Sequence, residues 1–194
     1  MITEIKIIKF LLADRKVCTI RETAKRIESD YKITHSAVKS LIKKGVLEGK
    51  KIGSSSQISL TTKLTKEVYE AEDERRKEIM KNEKLKTVGF WLDELKFPFI
   101  ALVFGSYAKG TATKHSDIDM LMICDEGRKT RIEKKLSMTV PNVHLTMLTP
   151  EEFLDGLRNR TSTVQTETIK NHVILVNIEQ YYGMIKDAGR IARL

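Results

Sequence analysis

The chain has few cysteines and no long apolar segment. The first feature argues against a disulfide-rich or zinc-binding protein, and the second argues against a membrane-spanning one. Its 194 residues include only two cysteines, Cys18 and Cys124, and neither belongs to a CxxC pair. This pattern predicts buried thiols in a reducing compartment rather than a disulfide framework or a zinc site. No apolar run approaches the ~20 residues of a membrane-spanning helix, and the N-terminus has no signal-peptide core. We therefore expect a soluble, cytoplasmic protein with no membrane partner.

Positive charge is concentrated in the first third of the chain. Of the formal net charge of +9, residues 1–64 contribute +8, from 14 Lys and Arg against 6 Asp and Glu. Residues 65–194 contribute only +1, from 21 Lys and Arg against 20 Asp and Glu. A small cationic unit of this kind predicts a polyanionic partner, with nucleic acid ahead of an anionic membrane surface.

The first 64 residues show the pattern of three short helices followed by a hairpin. The spacing of apolar residues predicts helices over 4–13, 19–29 and 36–44, then strands over 46–52 and 57–61. The third helix is expected to take Thr34 as its N-cap, to carry Ile42 inward and to stop at Gly45. This order of elements resembles the winged helix-turn-helix family over about a third of the chain.

The winged-helix resemblance implies binding of duplex DNA through the third helix and the hairpin. The residues expected to contact DNA are His35, Ser36, Lys39, Lys43, Lys44, Lys50 and Lys51. A helix of this kind suits the major groove of DNA, whereas the major groove of A-form RNA is too narrow for it. The alternatives are a merely solvated basic face and a contact with protein. Because winged-helix proteins often bind as dimers, analogy also predicts a homodimer.

Residues 65–97 are predicted to form one solvated helix that connects two domains. The segment is highly charged, and no proline or other breaker precedes Gly89. Its far end is expected to dock through Phe90, Trp91, Leu92 and Leu95. Pro98 then marks the start of a second domain over 98–194.

Beyond Pro98 the pattern changes to alternating strands and helices. Strands are predicted over 99–104, 118–124, 143–148 and 172–176, and helices over 128–136, 151–157, 161–170 and around 181–185. The second domain is therefore expected to be of the α+β or α/β class, with a mixed, mostly buried sheet and helices packed on it.

The residues most informative about chemistry lie at the ends of the first two of these strands. Asp117 and Asp119 are two apart on a strand, so both face the same side with Cα atoms roughly 6.7 Å apart. Such carboxylates repel each other unless cations neutralise them, and hard oxygen ligands suit Mg²⁺ or Mn²⁺. Gly105 and Ser106 form a turn after the preceding strand, where backbone N–H groups and a hydroxyl can bind phosphate.

This set of residues resembles the polymerase-β-type nucleotidyltransferase superfamily, in its minimal form, over residues 99–153. The resemblance implies that Gly105 and Ser106 hold the triphosphate of an NTP, with ATP expected first, and that Asp117 and Asp119 bind the metals. Lys109 and Ser116 are further candidates for nucleotide binding, and Lys114 and Arg128 for charge neutralisation. The reaction implied is in-line transfer of an NMP group to a hydroxyl, with pyrophosphate leaving. A protein side chain such as tyrosine, a small molecule and RNA remain open as acceptors.

One position departs from the family's pattern. The family usually supplies a third carboxylate from the next strand, but the alternating positions there hold His144 and Thr146. Four alternatives stay open: His144 as a substitute base, a carboxylate borrowed from Glu151 or Glu152, slow transfer, and nucleotide binding without transfer. The rival hypothesis is a DNA-binding transcription regulator whose catalytically degenerate domain senses nucleotide. An RNA-modifying enzyme is the third hypothesis.

Overall fold

The computed structural model describes residues 2–14, 17–53, 55–130, 132, 142–159, 168 and 171–187. The helices are α1 Thr3–Asp14, α2 Ile20–Arg26, α3 Tyr31–Lys43, α4 Lys66–Ile79, α5 Glu83–Asp93, α6 Gly105–Lys109, α7 Pro150–Asn159 and α8 Ile178–Asp187. The strands are β1 Cys18–Thr19, β2 Leu47–Ile52, β3 Ser55–Leu60, β4 Ile100–Phe104, β5 Ile118–Ile123, β6 Val143–Leu148 and β7 Val173–Val176. Most of the helices predicted over 128–136 and 161–170 lies outside the described residues. Within the described ranges, no helix is long and apolar enough to cross a bilayer.

The N-terminal part contains the three helices and the hairpin in the predicted order. Its sheet has the strand order β1-β3-β2, and both pairings are antiparallel. The two-residue strand β1 was not predicted, because a strand this short has no readable periodicity. It leads directly into α2, where Thr19 and Glu22 form a reciprocal capping box.

The third helix begins at Tyr31 rather than at Ser36. Its N-cap is Asp30, whose Oδ1 accepts the N–H groups of Lys32 and Ile33 at 2.7 and 3.2 Å. A carboxylate at this position also faces the positive end of the helix. Thr34, the predicted cap, instead lies buried inside the helix and donates its hydroxyl to the Asp30 carbonyl. The prediction that Ile42 faces inward is also wrong, because 40% of its surface is exposed.

The segment predicted as one connecting helix is in fact two helices. A turn at residues 80–82 separates α4 from α5, and the Asn82 side chain accepts two N–H groups of the first turn of α5. Asparagine is among the preferred N-cap residues, and here this preference ends the continuous helix. Of the predicted docking residues, Trp91 and Leu92 are buried and Leu95 is partly buried, but Phe90 is 74% exposed.

The C-terminal part is built on a mixed four-stranded sheet, as predicted. The strand order is β6-β5-β4-β7, with β4 antiparallel to both neighbours and β5 parallel to β6. All five residues of β4 are buried. The apolar run that predicted this strand is continuous because helices cover both of its faces.

The apolar core continues from the N-terminal helices onto one face of this sheet. One cluster joins α1, α3 and β3 to α7 and α8 through Ile100, Leu102 and Phe104 of β4. A second cluster lies on the opposite face, where α5 packs against Ala101 and Val103. The first cluster crosses both predicted domain boundaries, near residues 64 and 97. The proposed division into domains therefore stays a prediction.

Helix α4 carries a buried ion pair, which the expectation of a solvated connector did not include. Arg75 donates from Nη1 to Glu72 Oε2 at 3.0 Å and from Nη2 to the His172 carbonyl at 2.7 Å. The other Glu72 oxygen accepts the Tyr182 hydroxyl at 2.8 Å. Both charged side chains are almost fully buried. This network ties α4 to the start of β7 and to α8.

We expect Arg75→Met to lower the free energy of unfolding by about 3 kcal/mol, because it leaves the Glu72 carboxylate buried without its cation. The matched control is Lys77→Met on the same helix, where an exposed ammonium pairs with Asp73. That change should cost about 0.5 kcal/mol or less. Urea denaturation measures both values, and equal losses in the two variants would contradict this role for the buried pair.

Candidate active site

Strand pairing brings the predicted site residues to one end of the sheet. The antiparallel register of β4 and β5 sets Phe104 opposite Asp119, and the parallel register of β5 and β6 sets Asp119 opposite His144. Gly105 and Ser106 begin α6 directly after Phe104. Three separate stretches of sequence therefore meet around Asp119.

Gly105 is a position where both the space and the backbone conformation favour glycine. Its φ is +66°, a left-handed conformation that L-residues with a Cβ rarely adopt. A Cβ placed there would lie 2.2 Å from Asp119 Oδ2, which is far inside van der Waals contact. The missing side chain thus lets the Asp119 carboxylate lie directly against the turn that opens α6.

His144 stands between the two carboxylates. Its Nδ1 lies 3.6 Å from Asp119 Oδ1, and its Nε2 lies 3.9 Å from Asp117 Oδ2. Both distances exceed hydrogen-bond length, so each nitrogen is near a carboxylate without being bonded to it. The imidazole is 71% exposed. His144 therefore occupies the place on β6 from which the resemblance implied a third carboxylate.

The donor set fits a divalent cation that is shared with a ligand. Asp117 and Asp119 present two carboxylates at the same end of the sheet, and Mg²⁺ typically takes one or two carboxylates plus phosphate oxygens and water. Within the described part of the chain, no cluster of three or more His, Cys, Asp or Glu has the arrangement of a metal site. Two carboxylates therefore fit a divalent cation whose other ligands are phosphate oxygens or water.

The turn that leads into β5 is closed by Ser116. Its Oγ accepts the Thr113 N–H at 2.8 Å, and its own N–H donates to the Thr113 carbonyl at 3.1 Å. These bonds give Ser116, a predicted nucleotide contact, a structural role at the site. Lys84 was missed by the sequence analysis, although its Nζ donates to the carbonyls of Lys114 and Ser116. It lies 30 residues before Lys114, and no local pattern indicates such a contact.

One of the predicted sources of positive charge, Arg128, lies away from the site. Arg128 lies beyond the far end of β5, with its guanidinium carbon 5.0 Å from the centre of the Phe97 ring. Because β5 spans roughly 17 Å, Arg128 does not face the Asp117 end of the strand. The exposed Lys109, at the last position of α6, and the exposed Lys114 remain on the side of the candidate site.

The structure excludes a carboxylate borrowed from Glu151 or Glu152. Both begin α7, which follows the end of β6 opposite to His144. Glu152 Oε2 accepts the Thr149 N–H at 2.7 Å and the Lys129 ammonium at 3.0 Å. These two contacts, the backbone one first, lower the pKa of Glu152. That alternative is therefore wrong.

The predicted DNA-contacting residues lie on α3 and on the hairpin. Ser36, Lys39 and Lys43 are exposed on one face of α3, and Lys32 extends the same stripe by a further turn. Lys32 was not among the predicted residues, because the predicted helix began at Ser36. His35 is partly buried beside Tyr31, with ring centres 5.9 Å apart, while Lys50 and Lys51 are exposed on β2.

Lys44 differs from the other predicted DNA contacts because it has two partners within the chain. Its ammonium lies 2.8 Å from a carboxylate oxygen of Glu4 and 2.8 Å from one of Glu67. These bonds raise the pKa of Lys44, and the bond from Lys44 is the main reason that the pKa of Glu67 falls to about 2. Lys44 thus joins the end of α3 to α1 and α4.

We expect Gly105→Ala to destabilise the protein by about 3 kcal/mol, because it adds overpacking against Asp119 to backbone strain. Gly110→Ala is a matched control, since Gly110 has a φ of +69° but open space around an added Cβ. Strain alone should cost that variant about 1 kcal/mol. Urea unfolding of both proteins measures the difference, and similar values would show that Asp119 does not press on Gly105.

A comparison with known families agrees with this geometry over the C-terminal part. The family model described as polymerase beta, nucleotidyltransferase matches residues 91–181. This range contains the Gly105 turn, both aspartates and His144. Comparisons with curated proteins and with solved structures gave no match. The family match supports a nucleotidyltransferase-like domain and activity in residues 91–181.

Proposed function

We propose that the protein transfers an NMP group from an NTP, with ATP as the first candidate, to a hydroxyl acceptor. The observation that carries this proposal is the contact between Gly105 and Asp119. It sets a turn suited to phosphate beside a carboxylate suited to Mg²⁺ or Mn²⁺. A triphosphate held at the turn therefore has its phosphate oxygens within reach of a metal at the carboxylates.

Binding and orientation of the triphosphate fall to the turn between β4 and α6. Gly105 and Ser106 offer backbone N–H groups and a hydroxyl, and the Ser106 carbonyl accepts the Thr111 N–H at 2.9 Å, which closes the turn. Asp117 and Asp119 would hold the metal, which supplies charge neutralisation at the phosphates when bound. Positioning and charge stabilisation would then provide most of the rate acceleration.

His144 is the proposed general base. Its exposed imidazole lies between the two carboxylates, where an acceptor hydroxyl can approach the bound nucleotide. A ring nitrogen within hydrogen-bond reach of that hydroxyl would take its proton as the oxygen attacks the α-phosphorus. The new phosphoester bond forms as the bond to pyrophosphate breaks. A protein side chain, a small molecule and RNA all remain candidate acceptors.

We expect wild-type protein to incorporate label from α-phosphate-labelled ATP into an acceptor in host extract, and Asp117→Ala/Asp119→Ala to incorporate none. His144→Ala should retain nucleotide binding but transfer about 100-fold more slowly, because it removes only proton transfer. His115→Ala removes an exposed imidazole from the nearby turn and serves as the matched control with normal transfer. If the variant without both aspartates binds metal and nucleotide as the wild type does, the proposal is wrong.

A second candidate function is a transcription regulator in which this domain senses nucleotide without transferring it. The observation that favours it is His144 at the position where a carboxylate was expected. The His144→Asp variant separates the two functions, because it installs a carboxylate opposite Asp119 in the β5–β6 register. Wild-type protein that binds nucleotide without labelling any acceptor, together with labelling by His144→Asp, would identify the sensor.

We also propose that α3 and the β2–β3 hairpin bind duplex DNA. The supporting observation is the stripe of Lys32, Ser36, Lys39 and Lys43 along one exposed face of α3, beside exposed lysines on β2. Lysines at this spacing can contact successive phosphates while the helix lies in the major groove. The homodimer stays a prediction by analogy.

We expect Lys32→Gln, Lys39→Gln and Lys43→Gln each to reduce the slope of log K against log salt by about 1, because each removes one phosphate contact. Lys66→Gln is the control: it makes the same charge change at an exposed position at the start of α4. Fluorescence anisotropy with duplex DNA at several salt concentrations measures the slopes. If all four variants keep the wild-type slope, the DNA contacts lie elsewhere. Tighter binding of structured RNA than of duplex DNA would favour the RNA-modifying alternative.

A further inference from the structure

We propose that Lys84, on the first turn of α5, is a positioning residue for Asp117. This inference rests on the proposed function, because it concerns how the metal-binding carboxylates are held. Lys84 lies before residue 91, where the match to the nucleotidyltransferase family begins. It belongs to the second half of the segment that was predicted to be one connecting helix.

The contacts of Lys84 lie on the turn that precedes Asp117, and one of them is to the peptide directly before it. Its Nζ donates to the Lys114 carbonyl at 3.0 Å and to the Ser116 carbonyl at 3.2 Å. The Ser116 carbonyl also lies 3.5 Å from the Tyr107 hydroxyl of α6. Since that carbonyl and the Asp117 N–H share one peptide plane, these donors orient the backbone from which the Asp117 side chain projects.

The two aspartates differ in how the sheet holds them. Asp119 lies within β5 and has a paired residue on each side, Phe104 on β4 and His144 on β6. Asp117 lies before the first residue of β5, on the turn. Strand pairing therefore sets the position of Asp119. On the far side of Asp117 the Ile118 N–H donates to the Asn142 carbonyl at 2.9 Å, so it is the orientation of the peptide before Asp117 that depends on how the turn is fixed.

Helix α5 gives Lys84 a rigid base from which to fix that turn. The Asn82 side chain caps the helix and accepts the N–H of Lys84 itself at 3.0 Å. The following residues Leu85, Val88 and Trp91 are buried in the cluster on the outer face of the sheet. Because the helix is anchored at its start and along its length, the ammonium holds the turn at a set distance from the sheet.

Hydrogen bonds that orient a metal-binding residue, without touching the metal, can change the metal affinity. Changes in groups that hold a metal ligand typically cost 10–100-fold in metal affinity or activity. A contact that served only to stabilise the fold would lower the unfolding temperature without changing metal affinity in the folded protein. Metal affinity therefore separates a positioning role from a purely structural one.

The experiment compares Lys84→Met with the wild-type protein, each as the whole 194-residue chain. The variant keeps an apolar stem of similar length and removes all donors. We measure Mn²⁺ binding by electron paramagnetic resonance in the presence of a non-hydrolysable ATP analogue, below the unfolding temperature of each protein. We expect about 10-fold weaker Mn²⁺ binding in the variant, as for other hydrogen bonds that orient a metal-binding residue. Lys84→Arg, which can again donate to two carbonyls, should recover most of the affinity.

The matched control is Lys86→Met, two residues further along α5. Lys86 is exposed and pairs with Glu83 at 2.5 Å, so its loss should leave Mn²⁺ affinity unchanged. Equal affinities for wild type and Lys84→Met would overturn the inference while leaving the proposed function in place. Failure of wild-type protein to bind Mn²⁺ with the analogue would instead overturn the proposed function, and the role of Lys84 with it.

Discussion

The approach of the Asp119 carboxylate to the backbone of Gly105 is the constraint on which the candidate site depends. It is possible only because Gly105 lacks a Cβ and adopts a positive φ, and because the β4–β5 register sets Phe104 opposite Asp119. The same aspartate pairs with His144 on its other side. One position in the sheet therefore links the turn that we propose binds phosphate, the carboxylates that we propose hold the metal, and the proposed base.

Helix α4 stabilises this arrangement from outside the sheet. Its buried Arg75 bonds the carbonyl of His172 at the start of β7, and Glu72 accepts the hydroxyl of Tyr182 on α8. At its other end, Glu67 pairs with Lys44 at the end of α3. The helix thus contacts both the basic N-terminal part and the nucleotidyltransferase-like part, and the apolar core is continuous between them. Because an unpaired buried charge is costly, loss of either partner of the Glu72–Arg75 pair destabilises the fold.

Most of the fold followed from local patterns, and the errors share a physical cause. The apolar runs predicted β4 and β5 because these two central strands are almost entirely buried. The edge strand β6 is only partly buried, and its alternation of apolar and polar residues was still enough to predict it. The break at Asn82 was missed because a single capping residue outweighed a long helical pattern. The start of α3 was misplaced because Asp30 and Thr34 are both good caps, and only the backbone conformation distinguishes them. Because Glu72 and Arg75 are charged, both were predicted to be exposed to solvent. They are buried instead, and each neutralises the charge of the other.

What the sequence determined by itself is the chemistry at the strand ends: the Gly105-Ser106 turn, the two aspartates on one face, and the absence of an acid where His144 stands. These features are local, because a strand's period of two and the conformational freedom of glycine follow from a few adjacent residues. Tertiary structure alone decided which distant groups complete the site. It placed His144 between the carboxylates, brought Lys84 to the turn before Asp117, and removed Glu152 and Arg128 from consideration. Strand register and helix docking determine those distances, and neither is encoded in neighbouring residues.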